Sequence, residues 1–334
     1  MQSGFSRFTI VAILAAVSLA PGQSAPRNGG DFSSNTQAVP DAKVPTGVIL
    51  VKGAWASASD NVTPLPEGGG VINNVFRNPY FGLTYTLPKD WIEKYKGPPP
   101  SDNGRYVLAQ LRTADTFKGT PGTLLITAQD MFFTPVPAKS ALELVTYASD
   151  NLQADYKVEL APTQTKIAGH PFAFFAYWSP VAELHWYILA TEIRCHTVEL
   201  VFTSRDTKLL ETLVLGMNQM ELPAEAGPTS GAGGGAVPAC IKNYARDENV
   251  ITRVDPIFSE RTFNPVPVRI IIDKSGRVRH THLLSAFPDQ ARAITDALKQ
   301  WKFKPYLRNG QPVEVETGIM FGHAPHQAVD AATE

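Results

Sequence analysis

The feature that most restricts how this chain can fold is the run Ala224-Glu225-Ala226-Gly227-Pro228-Thr229-Ser230-Gly231-Ala232-Gly233-Gly234-Gly235. Glycine maximises backbone freedom and nothing in the run is large enough to bury, so neither a helix nor a strand continues through it. A linker over residues 223–237 therefore separates two foldable blocks, 71–222 and 238–323. The length of 334 residues agrees, since it exceeds what one compact core usually needs. Residues 26–70 are rich in Pro, Gly, Ser, Asn and Thr and read as a tether, with only Gly47 to Val51 strand-like.

The first block opens with Leu83, Tyr85 and Leu87 alternating with threonines, the pattern of a half-buried strand that Pro88 ends. Extended runs at Arg105 to Arg112 and Thr123 to Met131 follow. Lys139 to Leu152 then changes to a helical period. Lys157 to Ile167, Phe172 to Trp178, Trp186 to Ile193 and Thr197 to Phe202 read as four more strands. Asp206, a good N-cap residue, starts a closing helix to Met220 whose apolar stripe includes Leu210, Leu213 and Met217. This order predicts an α+β domain in which two helices cover one face of an antiparallel sheet.

The second block is better punctuated. Val266 to Ile272 and Arg277 to Leu284 flank the turn Asp273-Lys274-Ser275-Gly276, with glycine where positive φ is wanted. Pro288 opens a helix whose apolar residues Ala291, Ile294, Leu298 and Trp301 share one face. A last strand, Pro312 to Phe321, follows the turn Asn309-Gly310. The expected product is ββαβ, one helix on a three-stranded antiparallel sheet. The fold class of the whole chain is thus α+β in two domains, with a disordered tail at 324–334.

Two resemblances accompany these patterns. Phe81-Gly82-Leu83-Thr84-Tyr85-Thr86-Leu87-Pro88-Lys89-Asp90-Trp91, with the element order of residues 71–222, resembles PsbP-like domains, which implies a binding or assembly module. The second block resembles the C-terminal domain of TonB. Its matching residues are Val254-Asp255-Pro256-Ile257-Phe258, Asp273-Lys274-Ser275-Gly276-Arg277-Val278, Ala297-Leu298-Lys299-Gln300-Trp301-Lys302-Phe303-Lys304-Pro305 and Asn309-Gly310-Gln311-Pro312-Val313. That resemblance implies partner recognition by addition of a strand to a free sheet edge. The candidate edge is Glu314, Val315, Glu316, Thr317 and Gly318, with Val313, Val315 and Ile319 facing the helix. An ordinary edge blunted by Glu314 and Glu316 is the competing reading.

The N-terminus argues for export. Arg7 precedes an apolar run from Phe8 to Ala20, shorter than the roughly 20 residues of a membrane span, and small residues follow at Gly22, Ser24 and Ala25. A signal peptide over 1–25 is expected, with a periplasmic or secreted product and no stable span after cleavage. Export places Cys195 and Cys240 where a disulfide can persist, and a bridge between them and two unpaired thiols are both open. The net charge of -1 excludes the basic field that nucleic acid requires.

No G-x-S-x-G elbow, S-x-x-K, H-E-x-x-H or P-loop occurs, so no catalytic residue, metal or cofactor is expected. His280 and His282 could share a metal with His323 or His326, but read as a solvent-facing pair on the uncovered side of the sheet. His185 and His196 read as surface residues beside a turn, and Phe172, Phe174, Phe175, Tyr177 and Trp178 as core. The expected function is a non-catalytic envelope protein that binds a protein or peptide partner by strand addition. The alternatives are a TonB-type energy transducer, which needs an anchor and spacer this sequence does not display, and a secreted small-ligand-binding protein or enzyme using the first domain.

Overall fold

A computed structural model describes residues 48–50, 58–60, 66, 69–94, 104–134, 138–223, 238–257, 266–284, 286 and 288–321. The expected signal peptide, residues 224–237 of the linker, the tail, His323 and His326 lie outside the described residues.

Strands β1 (Val48–Leu50) and β2 (Ala58–Asp60) come first. A three-stranded antiparallel sheet follows from β3 (Gly70–Ile72), β4 (Val75–Asn78) and β5 (Leu83–Thr86). Next are β6 (Trp91–Glu93), β7 (Arg105–Thr113) and β8 (Gly122–Asp130), and then helix α1 (Ala141–Asp150). The meander β9 (Lys157–Ile167), β10 (His170–Ser179), β11 (Leu184–Ile193) and β12 (His196–Ser204) leads to α2 (Thr207–Gly216). These strands form a seven-stranded antiparallel sheet in the order β6-β7-β8-β12-β11-β10-β9. Asp206 caps α2 by accepting from the amides of Lys208 and Leu209.

The two helices do not share a face, contrary to the expectation. Leu210 and Leu213 of α2 pack with Val198, Leu200 and Phe202, whereas Ala141 and Val145 of α1 pack with Val201, Phe175 and Tyr177. Side chains alternate across a strand, so these sets lie on opposite sides of the sheet. The physical reason is visible in β12, where every residue from His196 to Ser204 is buried. Phe172, Phe175 and Tyr177 are core, while Phe174 and Trp178 are partly exposed.

The C-terminal portion contains β13 (Ala239–Cys240), β14 (Val250–Thr252), β15 (Val266–Ile272), β16 (Val278–Leu283) and helix α3 (Pro288–Leu298). After it come β17 (Lys302–Phe303), β18 (Tyr306–Arg308), β19 (Gln311–Val313) and β20 (Val315–Phe321). The central antiparallel strands stand in the order β16-β15-β20, and α3 covers one face through Ala291, Ile294 and Leu298. Trp301 and Phe303 join that core. Gly276 sits at φ 84°, and a Cβ there would lie 2.0 Å from the carbonyl oxygen of Phe303, so both turn geometry and close approach require glycine.

Two short strands are described within residues 26–70. These, β1 and β2, pair with each other, and β2 extends the C-terminal sheet by pairing Ala58 and Ser59 with Leu283 and His282. At the opposite side of this sheet, β13 lies parallel to β20.

Candidate functional site

The face of the C-terminal sheet turned away from α3 meets the seven-stranded sheet, and an ionic cluster is buried at that meeting. In β15, Val268, Ile270 and Ile272 pack in the core beneath α3, so the intervening Arg269 points to the other side. It is 3% exposed. Its guanidinium binds Asp130 at the end of β8, and donates to Glu316 Oε1 of β20 at 2.6 Å and to the Arg194 carbonyl at 3.2 Å. Tyr80 donates its hydroxyl to the same Glu316 oxygen at 3.0 Å. Arg194 lies 4.0 Å over the Tyr80 ring and donates to the Tyr80 carbonyl at 2.9 Å.

The hairpin turn between β11 and β12 presents two members of this cluster at a conformational cost. Arg194 and Cys195 have φ of 49° and 61°, values that Asn and Gly adopt far more readily. Both residues hold the C-terminal portion: Cys195 is disulfide-bonded to Cys240 of β13, with 5.5 Å between their Cα atoms. His196 follows, fully buried against Tyr80, Phe81 and Tyr106. The 2.8 Å contact from Nδ1 to the Arg194 carbonyl makes Nδ1 the protonated nitrogen, which leaves Nε2 to accept from Arg269 at 3.2 Å.

The electrostatics follow from burial and balance. Two guanidiniums, Arg269 and Arg194, face two carboxylates, Asp130 and Glu316. Burial alone would raise Glu316, but Arg269 and Arg194, with hydrogen bonds from Arg269 and Tyr80, bring it below the ordinary carboxylate value. Burial, reinforced by Arg269, holds His196 well below its usual 6.5. The unfolded chain thus takes up a proton near pH 6.5 that the folded protein refuses. Stability from this group is complete above that pH and falls as the solution is acidified, by at most about 1.4 kcal/mol per pH unit. Urea unfolding at pH 7 and pH 5.5 should show a shallower pH slope for His196→Asn than for the unmodified protein. Equal slopes would refute the assignment.

Phe132 and Phe133 close one side of the cluster. A Cβ on Gly318 would lie 2.8 Å from atoms of both, so the loop after β8 rests directly on the β20 backbone at this glycine. Gly318→Val should cost roughly 1–3 kcal/mol through overpacking. A denaturation midpoint unchanged by the substitution would exclude the contact. On the other side, Tyr80, Phe81, Arg194, Ile271, Arg279 and His280 help line an open cleft of about 300 Å³. Its guanidiniums are engaged, Arg279 with Glu314 at 2.7 Å and Arg194 as above.

Several sequence expectations are corrected here. Glu314 to Gly318 is not open along its whole length: over Glu314–Glu316 the amides of Ala239 and Ile241 donate to the carbonyls of Glu314 and Glu316 at 2.7 and 3.1 Å. Nor does Glu316 blunt that edge, because its side chain is 2% exposed inside the cluster. Val315 packs in the core under α3 and Ile319 against it. His282 is 3% exposed rather than solvent-facing, since the sheet face it occupies is covered, and His196 is 0% exposed for the same reason. His185 is partly exposed and bonds Glu159 at 2.9 Å. Among the described residues no group of three His, Cys, Asp or Glu could hold a metal. Asp130, Arg269 and Tyr80 were missed by sequence reasoning. The available signal was Arg269 itself, a charge inside the apolar run Val266 to Ile272.

A three-stranded antiparallel sheet with one helix across it and a glycine-pinned first hairpin defines the class of the C-terminal portion. Residues 261–322 match the family described as Gram-negative bacterial TonB protein C-terminal, so the chain carries a TonB-like region that includes Arg269 and Glu316. Among solved structures, the solution structure of cyanobacterial PsbP from Synechocystis sp. PCC 6803 is similar at 14% identity and a TM-score of 0.32. That match covers 46% of this chain and 96% of that one. No curated protein matches the chain. Among the described residues no helix is long and apolar enough to cross a membrane.

Proposed function

We propose that the chain is an exported, non-catalytic protein of the Gram-negative envelope that recognises a protein or peptide partner. Its two domains, 71–222 and 238–323, act as one body. The observation that carries this reading is the Cys195–Cys240 disulfide beside the Arg269 cluster. A disulfide of this kind persists in oxidising compartments, which supports export after removal of residues 1–25. It also fixes the TonB-like sheet against the first domain, so an independently swinging energy-transducing head fits less well.

The non-catalytic reading rests on sealing. Asp130, His196, Arg269 and Glu316 would make a plausible acid–base set in a cleft, yet each is at most 3% exposed and bonded to the others. Such a set acts as a fastener. Recognition is assigned to the β20 edge by strand addition, as the TonB-like region supports. The test is expression of the full chain in a Gram-negative host with a photo-cross-linking residue at Met320, which is 49% exposed. Expected are a mature N-terminus near Ala25, an oxidised Cys195–Cys240 pair in the periplasmic or secreted fraction and a discrete cross-linked protein. Cytoplasmic retention with free thiols would overturn the export reading, and absence of any cross-link across the β20 positions in both the oxidised protein and its Cys195→Ser/Cys240→Ser form would overturn recognition at this edge.

A further inference from the structure

The outer edge of β20 is already occupied by the chain's own segment 239–241, and the manner of occupation describes what that edge accepts. Ala239 stands opposite Val315, and Cys240 opposite Glu316, in parallel register. Side chains directly opposite one another share a face of the sheet. Ala239 therefore lies on the side of the α3 core, where it is 3% exposed, and Cys240 lies on the side of the ionic cluster, where it meets Cys195. Ile241 returns to the core side and packs against it. Main-chain bonding is modest, the amides of Ala239 and Ile241 reaching the carbonyls of Glu314 and Glu316, and the Thr317 side-chain hydroxyl adds a 3.4 Å bond to the Lys242 carbonyl.

A two-residue parallel strand of this kind is weak by itself. Parallel ladders are slightly less stable per residue than antiparallel ones, and strands this short have little independent stability. Covalent attachment to the turn at Cys195 compensates. We propose that the Cys195–Cys240 disulfide latches this edge: residues 239–241 hold Glu314–Thr317 closed, and removing the bridge frees it for an extended parallel segment with a small apolar residue opposite Val315 and an aliphatic residue two positions on. Residues 239–241 act as a resident competitor pinned by the disulfide. The identity of an outside partner rests on the preceding reading of strand addition, but the occupancy of the edge does not. A partner segment enters by displacing Ala239–Ile241, and its middle residue must tolerate the first domain in place of Cys240.

The probe is a fluorescent peptide of residues 236–243 carrying Cys240→Ser, titrated into the oxidised full chain and into the Cys195→Ser/Cys240→Ser form. Amide hydrogen exchange is followed in both proteins. In the double variant, the Ala239 and Ile241 amides should exchange at least tenfold faster while Ile270 stays protected, and the peptide should bind at least tenfold more tightly than to the oxidised protein. An Ile241→Lys version of the peptide should bind at least tenfold more weakly to the double variant. The Ala239→Pro protein, with its disulfide intact and one edge donor removed, supplies the second arm. It should also admit the peptide if the unpinned form proves poorly folded. Equal affinity for the oxidised protein and either variant would overturn the proposal, as would peptide binding indifferent to Ile241→Lys. Failure of the earlier reading would look different: the peptide would bind the freed edge while no envelope protein cross-links to it.

Discussion

Replacing Arg269 with methionine is expected to cost roughly 3–5 kcal/mol of unfolding free energy, the range found when one partner of a buried ion pair is removed. The substitution leaves Asp130 and Glu316 buried with only Arg194 nearby, 3.7 Å from Glu316. Methionine keeps apolar contact with Phe132, whose ring lies 4.9 Å from the Arg269 guanidinium carbon, so lost packing is a minor part of the loss. Adding Asp130→Asn and Glu316→Gln to the same protein should recover a large share, because the uncompensated charges are then gone. That contrast separates the cost of stranding charge from the net worth of the cluster, which is expected to be small. Urea unfolding of the single and triple variants decides the matter. A loss under about 1 kcal/mol in the single variant would show that water reaches the carboxylates.

The cluster also explains why some of this molecule was readable in its sequence and some was not. Period and punctuation were local signals. The alternation of Leu83 and Tyr85, the cap at Asp206, the turns at Gly276 and Gly310 and the stripe of Ala291, Ile294 and Leu298 each depend on residues within one or two turns of chain. Their elements stand where the periods placed them. What could not be read was the pairing of one element's polar side with a distant one. Arg269 and Asp130 are 139 residues apart, and neither carries a local mark of the other.

The same reasoning accounts for the misread histidines and the misread edge. A histidine beside a turn is usually solvated, and nothing near His196 in the chain announces that Arg269 and Tyr106 will cover it. Strand Glu314–Gly318 looked like an edge because it is the last strand in sequence. The sheet was extended instead by a two-residue parallel strand after the linker, too short to have a period. Strand β1 falls within the strand-like run Gly47 to Val51, but β2 escaped for a similar reason, since a three-residue strand in a Pro- and Gly-rich stretch is indistinguishable from coil until a long-range partner appears. In contrast, an arginine within Val266 to Ile272 was a visible anomaly. A charge among core residues signals either error or a buried counter-charge, and here it marked the face that carries the buried ionic cluster.

Removing the disulfide should give the second large effect. Cys195 and Cys240 are 45 residues apart, and the chain-entropy estimate for a loop of that size is about 4 kcal/mol. The measured loss for Cys195→Ser/Cys240→Ser is expected to fall somewhat below that figure, since the unfolded chain is more compact than a random coil and regains less loop entropy when the bridge is removed. Cooperativity should respond as well as midpoint. If the cluster and the disulfide are two fasteners on one interface, combining the cysteine substitutions with Arg269→Met should split urea unfolding into two transitions, the C-terminal portion melting first because its core is the smaller. Two independent modules joined only by a flexible linker would behave otherwise, showing separate transitions even with every fastener intact. A single cooperative transition in the unmodified protein, resolved into two in the triple variant, is therefore the result expected of a chain that works as one body, and two transitions from the outset would rule that arrangement out.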